Sequence, residues 1–465
     1  MSDLGGRFLT GSTMGHVVRM TLTGAAGISF VFLVDAANLF WISQLGTPRL
    51  VAAIGFAFAI QFLSVSSGVG LMIAATALIS KRIGAGDSAG ARHEATSAMV
   101  LTVAIQAVIA LLVILFRWDM LGLVGAEGET RVLAARYLLF TVPSLALMAV
   151  GLIASAALRA KGDGKRAMLV TLASGSVSMV VDPALIIWAD LGLDGAAIAL
   201  VISRVVLSVM ALKFAIGTHD LLAWPSLSAV RENARPFLRI ALPAMVAQLS
   251  TPFGSYLLTG VMAQFGDAAV GAWAVANRLY VMAFGGIFAL SGAISGIFGQ
   301  NFGAGLHERL WTTYRDALVF CAIYALAVWG LLIVATPLII QSFGLDGPAA
   351  DVLRAFTIST GWAQALIGMV FVTNAAFNTL GRPARSMVVN WGRDGLLMMP
   401  IAYWAANVWG APGVLYGQAM AGSIVGILSA IWAGVFVYRV AQGRGPALDL
   451  TQRRGYRDVN RFRRR

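Results

Sequence analysis

Two aspartates stand alone inside long apolar runs of the chain, Asp35 in "LVDAANLFW" (33–41) and Asp182 in "VVDPALII" (180–187). A charged carboxylate near the middle of a bilayer costs roughly 3 kcal/mol, and such residues usually mark proton or ion pathways. The chemistry that these two residues predict is therefore gain and loss of a proton, or binding of a cation. The alternative is a structural acid that is hydrogen-bonded to a neighbouring serine or arginine.

The elements that must hold these aspartates are membrane-spanning helices. The chain has 465 residues, of which 58% are hydrophobic and 12% charged, whereas soluble domains carry about 25% charged residues. Its mean hydropathy is +0.80. Apolar stretches of about 20 residues, each long enough to cross a bilayer as a helix, recur from end to end. We predict an all-α membrane protein with twelve transmembrane helices, at 17–44, 50–79, 95–116, 132–157, 167–189, 195–216, 238–264, 268–298, 317–343, 354–380, 386–408 and 413–438.

The basic residues fall mostly on one side of the predicted membrane. Of the 34 lysines and arginines, most lie in segments on the same side as the N-terminus, and only Arg204, Arg278 and Arg393 lie within helices. The positive-inside rule then predicts that both termini are cytoplasmic. The net charge of +13 therefore reflects the inner face of a membrane protein and not binding of nucleic acid. The tail "QRRGYRDVNRFRRR" (452–465) could contact anionic lipid headgroups, with a solvated segment that binds nothing as the alternative.

The chain also contains an internal repeat. The segment "RIGAGD" (82–87) is echoed by "NFGAGL" (301–306), and "AALRAKGDGKRAM" (156–168) by "AAFNTLGRPARSM" (375–387). We predict two six-helix lobes related by a pseudo-twofold axis along the membrane normal, with a cleft between them that suits alternating access. A duplicated scaffold without transport is the alternative. The predicted parts are an N-terminal lobe, a cytoplasmic linker, a C-terminal lobe and a basic tail, at 1–216, 217–237, 238–440 and 441–465.

The sequence offers no enzymatic or nucleotide-driven energy source. "GDGKR" (162–166) lacks the spacing and the Ser or Thr of a phosphate-binding loop. The single Cys321 excludes an internal disulfide. We therefore predict no enzyme, no metal and no cofactor, and an ion gradient as the driving force. The histidines are scattered near helix ends without metal-ligand spacing, at His16, His93, His219 and His307.

Several segments resemble the multidrug and toxic compound extrusion (MATE) family of ion-coupled exporters. The stretch 50–87 resembles the family's second helix and the Gly-Ala-Gly loop after it, and "ALRAKGDGKRAMLVTLASGSVSMVVDPALII" (157–187) resembles its fourth-to-fifth helix region. "VGAWAVANRLY" (270–280) and "IFGQNFGAG" (297–305) resemble the matching part of the second lobe. The similarity extends over about 15–440.

The resemblance implies a coupling site in the first lobe, because family members place one aspartate on the first helix and one on the fifth. The second maps onto Asp182. The register of the first falls on Asn38, so that Asp35, one turn earlier on the same face, must supply the carboxylate here. Tyr137 and Ser155 are implied as hydrogen-bond partners.

The second lobe supports this assignment. Its positions equivalent to the two aspartates are Ser255 and Ile401, and neither is acidic. The lobes are therefore predicted to differ in chemistry, with coupling confined to the first.

The resemblance also bears on the coupling ion. Sodium-site members of the family have an Asn one turn before the fifth-helix aspartate and a Thr on the sixth helix, and here those positions are Ser178 and Leu200. Sodium needs several fixed oxygen ligands. We therefore predict proton coupling, with sodium as the alternative.

Aromatic and methionine side chains in the helices would suit a cavity for organic cations, although packing is the alternative for each of them. The predicted cavity residues are Phe40, Phe62, Trp273, Tyr280 and Met282. Arg393 and Asp394 are adjacent, and adjacent residues point apart on a helix. We therefore expect them not to pair with each other. Together with Arg278, they are expected to neutralise charges on other helices or to extend to the inner face of the membrane.

The sequence thus predicts a proton-coupled antiporter that exports amphipathic, often cationic compounds. The predicted location is the bacterial inner membrane, where the protein would be monomeric and surrounded by lipid. A sodium-coupled version is one alternative. A flippase for lipid-linked precursors is another, and it would require a strongly basic cleft. A membrane enzyme is disfavoured by the missing catalytic set.

Overall fold

The structure is a computed structural model that describes residues 6–444. The predicted lipid-binding tail (452–465) lies outside the described residues. Within them the chain forms twelve helical rods, which we label α1 to α12 in chain order. Their bounds are Thr13–Ser43, Pro48–Gly84, Ser88–Leu123, Gly128–Lys161, Gly164–Trp188, Gly192–Gly217, Leu227–Ala263, Asp267–Gly303, His307–Ser342, Gly347–Thr379, 383–409 and Ala411–Ala441.

The all-α prediction is confirmed for residues 6–444, which contain no strand. Ten of the twelve rods are long and apolar enough to cross a membrane. The other two are α7, which carries three internal prolines, and α11, which is interrupted by a π turn. The predicted linker (217–237) is only partly extended, because α7 already begins at Leu227.

The rods alternate in direction. At one end of the bundle, the odd-numbered helices begin and the even-numbered helices finish. Short polar turns fix this end. The Asp87 side chain accepts a hydrogen bond from the Gly90 amide at 2.8 Å, and that of Asp163 accepts one from the Arg166 amide at 3.1 Å. Each aspartate satisfies an otherwise unpaired amide at a helix start. We call this the basic end, because it carries Arg7, Lys81, Arg82, Arg92, Arg159, Lys165, Arg309, Arg382 and Arg385.

Three rods contain a π-helical turn. In α5 the turn Ala184–Trp188 is π-helical and directly follows Pro183, which cannot donate a backbone hydrogen bond. In α10 the segment Ala355–Thr360 is π-helical, and in α11 the segment Gly392–Leu397. Such turns are often found at functional sites, and the one in α5 starts two residues after Asp182.

Helices from the two halves of the chain pack closely near the basic end. A Cβ added to Gly24 on α1 would lie 2.9 Å from the Ala289 Cβ on α8. A Cβ added to Gly285 on α8 would lie 3.3 Å from a methyl of Ile28 on α1. On α2, a Cβ added to Gly84 would lie 2.0 Å from the Gln300 backbone oxygen. Small residues allow this close approach of helix backbones.

Residues 6–12, which we call the N-terminal strap, reinforce the contact at the basic end. Phe8 is 1% exposed, and its amide donates a hydrogen bond to Gln300 Oε1 at 2.9 Å. Gln300 Nε2 in turn donates to the Ala160 carbonyl at 2.6 Å, and Arg309 Nη2 donates to the Phe8 carbonyl at 3.1 Å. One buried glutamine on α8 thus joins the strap to α4.

Towards the opposite end, residues on α1 and α8 become exposed. The last hydrogen bond between them runs from Ser29 Oγ to the Met282 carbonyl at 3.4 Å. Beyond it, Asp35 on α1 and Arg278 on α8 are both exposed. We call the space between these faces the cleft, and it opens away from the basic end.

Candidate functional site

Asp182 is the most enclosed of the predicted site residues. It lies in the last turn of the regular part of α5 and is 1% exposed. The Ser178 hydroxyl, one turn earlier, donates to Asp182 Oδ2 at 3.5 Å. The other oxygen, Oδ1, is buried and has no hydrogen-bond partner among residues 6–444. Because a buried charged oxygen without a partner is costly, this carboxylate is suited to take up a proton or a cation.

Helix α1 brings Asn38 and Asp35 to the same place. Asn38 lies beside the Asp182 carboxylate and interacts with it, without completing a hydrogen bond to Oδ1. Asp35, one turn earlier, is exposed to the cleft and lies close enough to Asp182 for their charges to interact. The structure therefore pairs a carboxylate that faces the cleft with one buried behind it.

Arg204 on α6 lies in the same cluster as Asp35, Asn38 and Asp182, although its position in the sequence predicts no role for it. It is 6% exposed, and its Nη1 donates to the Thr141 carbonyl at 2.8 Å and to Ser144 Oγ at 2.7 Å. A 3₁₀ turn at Val142–Ser144 leaves that carbonyl available. The guanidinium lies within electrostatic range of Asp35. The available signal was a single arginine in the apolar run "IALVISRVVLSVM".

Of the two implied hydrogen-bond partners on α4, only Tyr137 joins the cluster. It is 6% exposed and lies near Arg204, Asp182 and Asp35. Ser155 lies about 27 Å further along the same helix, towards the basic end, and is not part of the site.

The predicted cavity residues divide into two groups. Phe40, Phe62 and Met282 are exposed on α1, α2 and α8. Tyr280 is partly buried against the Phe284 and Phe288 rings, and Trp273 is 3% exposed, with its indole nitrogen donating to Thr259 Oγ1 at 3.1 Å. Trp273 therefore packs inside the second half of the chain, away from a bound compound, whereas Tyr280 keeps part of its surface exposed.

The expectation that Arg393 and Asp394 do not pair is wrong. Arg393 Nε lies 2.6 Å from Asp394 Oδ1, and Nη2 lies 2.8 Å from Oδ2. Both residues are buried, and Ser250 Oγ also donates to Oδ2 at 2.9 Å. The divergence of adjacent side chains holds for a regular α-helix, whereas this pair lies in the π turn Gly392–Leu397. The pair is satisfied internally, unlike Asp182.

Comparison with known proteins gives a consistent assignment. The MatE family model matches the chain twice, over residues 25–184 and 243–404. The chain is 27% identical over 428 residues to the FAD transporter of Shewanella oneidensis, covering 90% of this chain and 94% of that protein. It is 22% identical over 410 residues to the multidrug export protein MepA of Staphylococcus aureus, covering 86% and 88%.

A solved structure shows the same fold. The outward-facing conformation of a multidrug resistance MATE family transporter superimposes with a TM-score of 0.87 at 23% identity, covering 94% of this chain and 99% of that one. The predicted two-lobe architecture is thereby confirmed. Because the family model matches more than half of the chain, in two copies, the protein belongs to the MatE family of multidrug and toxic compound extrusion transporters and is a multi-pass membrane protein.

Proposed function

We propose that the protein is a secondary active exporter in a bacterial inner membrane, which antiports organic, often cationic compounds against protons by alternating access. The observation that carries the proposal is the buried Asp182 carboxylate, with one oxygen unpartnered, behind the cleft-facing Asp35. Protein groups that change charge within a membrane need a route to water, and Asp35 supplies it.

The cluster suggests how protons and cations would compete. Arg204 compensates one negative charge, so that a second charged carboxylate remains to be neutralised by either a proton or a cationic substrate. Neutralisation removes most of the cost of holding the charge at mid-membrane. It can therefore shift the balance between two packings of α1 that differ by a similar free energy. Proton entry would displace the cation into the cleft.

Protons are favoured over sodium by the oxygens around Asp182. Sodium requires several well-placed oxygen ligands. Ser178 stands where sodium-site members carry an asparagine, and Leu200 offers no oxygen where they carry a threonine. A proton needs only the unpartnered oxygen itself.

The orientation follows from charge. We assign the basic end to the cytoplasm by the positive-inside rule, which also makes both termini cytoplasmic and opens the cleft to the outside. The lobes 1–216 and 238–440, joined by the linker 217–237, are the moving units in this proposal. The unit of transport is a monomer, with small amphipathic molecules and lipid as its partners and no nucleic acid.

A second substrate class is favoured by one residue. Arg278 is exposed on the cleft face of α8, and a related protein is named a FAD transporter. An exposed guanidinium suits an anionic dinucleotide, so FAD belongs among the compounds to be tested. A lipid-linked precursor flippase is less well supported, because Arg204 and Arg393 are 6% and 7% exposed and already bonded.

Efflux from proteoliposomes tests the proposal. The protein is reconstituted with an organic cation or FAD inside, and pH and sodium gradients are imposed separately. We expect export of the cation to follow the pH gradient and to be indifferent to sodium. Export driven by sodium alone would overturn proton coupling, and absence of gradient-driven movement of either compound would overturn the exporter assignment.

A further inference from the structure

A cavity at the basic end lies outside the transport cleft. It has a volume of about 510 Å³ and is formed by the strap, α1, α5, α6 and the turn before α5. Four of its lining residues are basic, one is acidic and two are apolar. They are Arg7, Arg19, Asp163, Lys165, Arg166, Leu169 and Phe214.

The charges in this cavity do not balance. Asp163 is the only acid, and it is 7% exposed. Its carboxylate already accepts hydrogen bonds from His219 Nε2 at 2.8 Å and from the side chain and amide of Arg166. Burial raises the pKa of Asp163, but these hydrogen bonds outweigh burial and leave the pKa below its usual value. Asp163 is therefore charged near neutral pH and offsets only one of the four cations.

The remaining cations face the cavity without a protein anion. Arg19 and Lys165 are exposed, and across the described chain neither side chain forms a hydrogen bond or an ion pair. Arg7 donates only to the Gly162 carbonyl, at 3.2 Å. Like charges gathered in one cavity repel each other unless an anion lies between them.

The cavity also has an apolar wall. Leu169 is 38% exposed, and the Phe214 ring lies 5.9 Å from the Arg166 guanidinium. Basic pockets between transmembrane helices are typical binding places for acidic lipid headgroups. A free phosphate would use the basic part alone, whereas a phospholipid would use the basic part and the apolar wall together.

We propose that this cavity binds the phosphate group of an anionic phospholipid, with Arg19 and Lys165 as its principal contacts and the acyl chains along Leu169 and Phe214. Arg7 belongs to the strap and Arg19 to α1, while Lys165 belongs to α5. An occupied site therefore holds the strap and two helices together and stabilises the closed basic end.

Lipid binding to the full-length protein in detergent tests the site. Phosphatidylglycerol, phosphatidylcholine and inorganic phosphate are titrated separately, and retention is measured by native mass spectrometry together with the shift in Tm. The test variant is Arg19→Gln/Lys165→Gln. The matched control is Lys213→Gln, which removes a charge next to Phe214 in sequence but outside the cavity lining.

We expect the double variant to bind phosphatidylglycerol roughly tenfold more weakly than wild type, and the control to match wild type. A second variant, Leu169→Asp, keeps all four cations. It is expected to weaken binding of phosphatidylglycerol, because it places a carboxylate on the apolar wall. Equal binding by wild type and both test variants would overturn the site. Full stabilisation by inorganic phosphate alone would overturn the lipid assignment in favour of a free phosphate site.

Discussion

Asp35 and Arg278 occupy facing positions on the two sides of the cleft. Each lies about two helical turns beyond the contact between Ile28 on α1 and Gly285 on α8. Both are exposed, and within residues 6–444 the Arg278 side chain has no hydrogen bond or ion pair. Because α1 and α8 run antiparallel, closing the cleft along the existing contact line would bring the carboxylate and the guanidinium together.

The first prediction follows from this geometry. In a Cys321→Ala background, Leu39→Cys and Ala274→Cys place thiols one turn further out on the same faces. We expect cross-linking of this pair to report closure of the cleft, and Arg278→Gln to lower the cross-linked fraction severalfold by removing the attraction. Arg117→Gln, which removes a cation bonded only within α3, is the control. An unchanged fraction in Arg278→Gln would show that the two charges do not meet.

The second prediction concerns Asp182. The substitution Asp182→Asn keeps the size and polarity of the side chain but removes the titratable group. We expect a well-folded protein that has lost proton-driven export, measured as drug efflux and as dissipation of a pH gradient in proteoliposomes. Asp119→Asn, an exposed acid at the far end of α3, should retain wild-type export. Wild-type coupling in Asp182→Asn would remove Asp182 from the mechanism.

A third prediction separates two roles for Asp35. If Asp35 carries the proton, Asp35→Asn loses antiport for neutral and cationic substrates alike. We expect this outcome, because Asp35 links the buried Asp182 to the cleft. The measurement is efflux of one neutral and one cationic compound under the same pH gradient. Loss confined to the cationic compound would make Asp35 a recognition residue and leave coupling to Asp182.

The fourth prediction tests the close contact at the basic end. Gly84→Ala places a methyl group 2.0 Å from the Gln300 backbone oxygen, and overpacking of this kind typically costs about 1–3 kcal/mol. We expect a lower Tm and greater labelling of the basic end from the cytoplasmic side. Gly55→Ala on the same helix meets no atom within 4 Å and should be neutral or slightly stabilising. Equal Tm values for the two variants would contradict the contact.

The fifth prediction concerns the ion pair of α11. Asp394→Asn leaves the buried Arg393 without its counter-charge, and breaking a buried pair typically costs about 3–5 kcal/mol. The double variant Arg393→Met/Asp394→Leu removes both charges and should recover much of that loss. Unfolding in detergent measures both. A double variant less stable than Asp394→Asn would indicate a role for the pair beyond mutual neutralisation.

The sequence by itself was enough to determine the helices and the repeat. Apolar composition, span length and basic turns are local or additive properties, so they predict twelve rods without any knowledge of packing. The two aspartates were also predictable, because a single carboxylate in an apolar run is conspicuous whatever surrounds it. The grouping of Asn38, Tyr137 and Ser178 with them came from a family resemblance, and their role in coupling stays a prediction, although all three lie near Asp182.

The tertiary structure alone decided which polar groups meet. The partners of Arg204 depend on a 3₁₀ turn in α4, and the Arg393–Asp394 pair depends on a π turn in α11. The burial of Trp273 depends on how the helices pack around it. The hydrogen bonds of Gln300 join residues that are far apart in the sequence. These features arise from departures from regular helix and from packing between distant segments. Neither leaves a periodic trace in the sequence, because each is set by the neighbouring helices and not by the residues themselves.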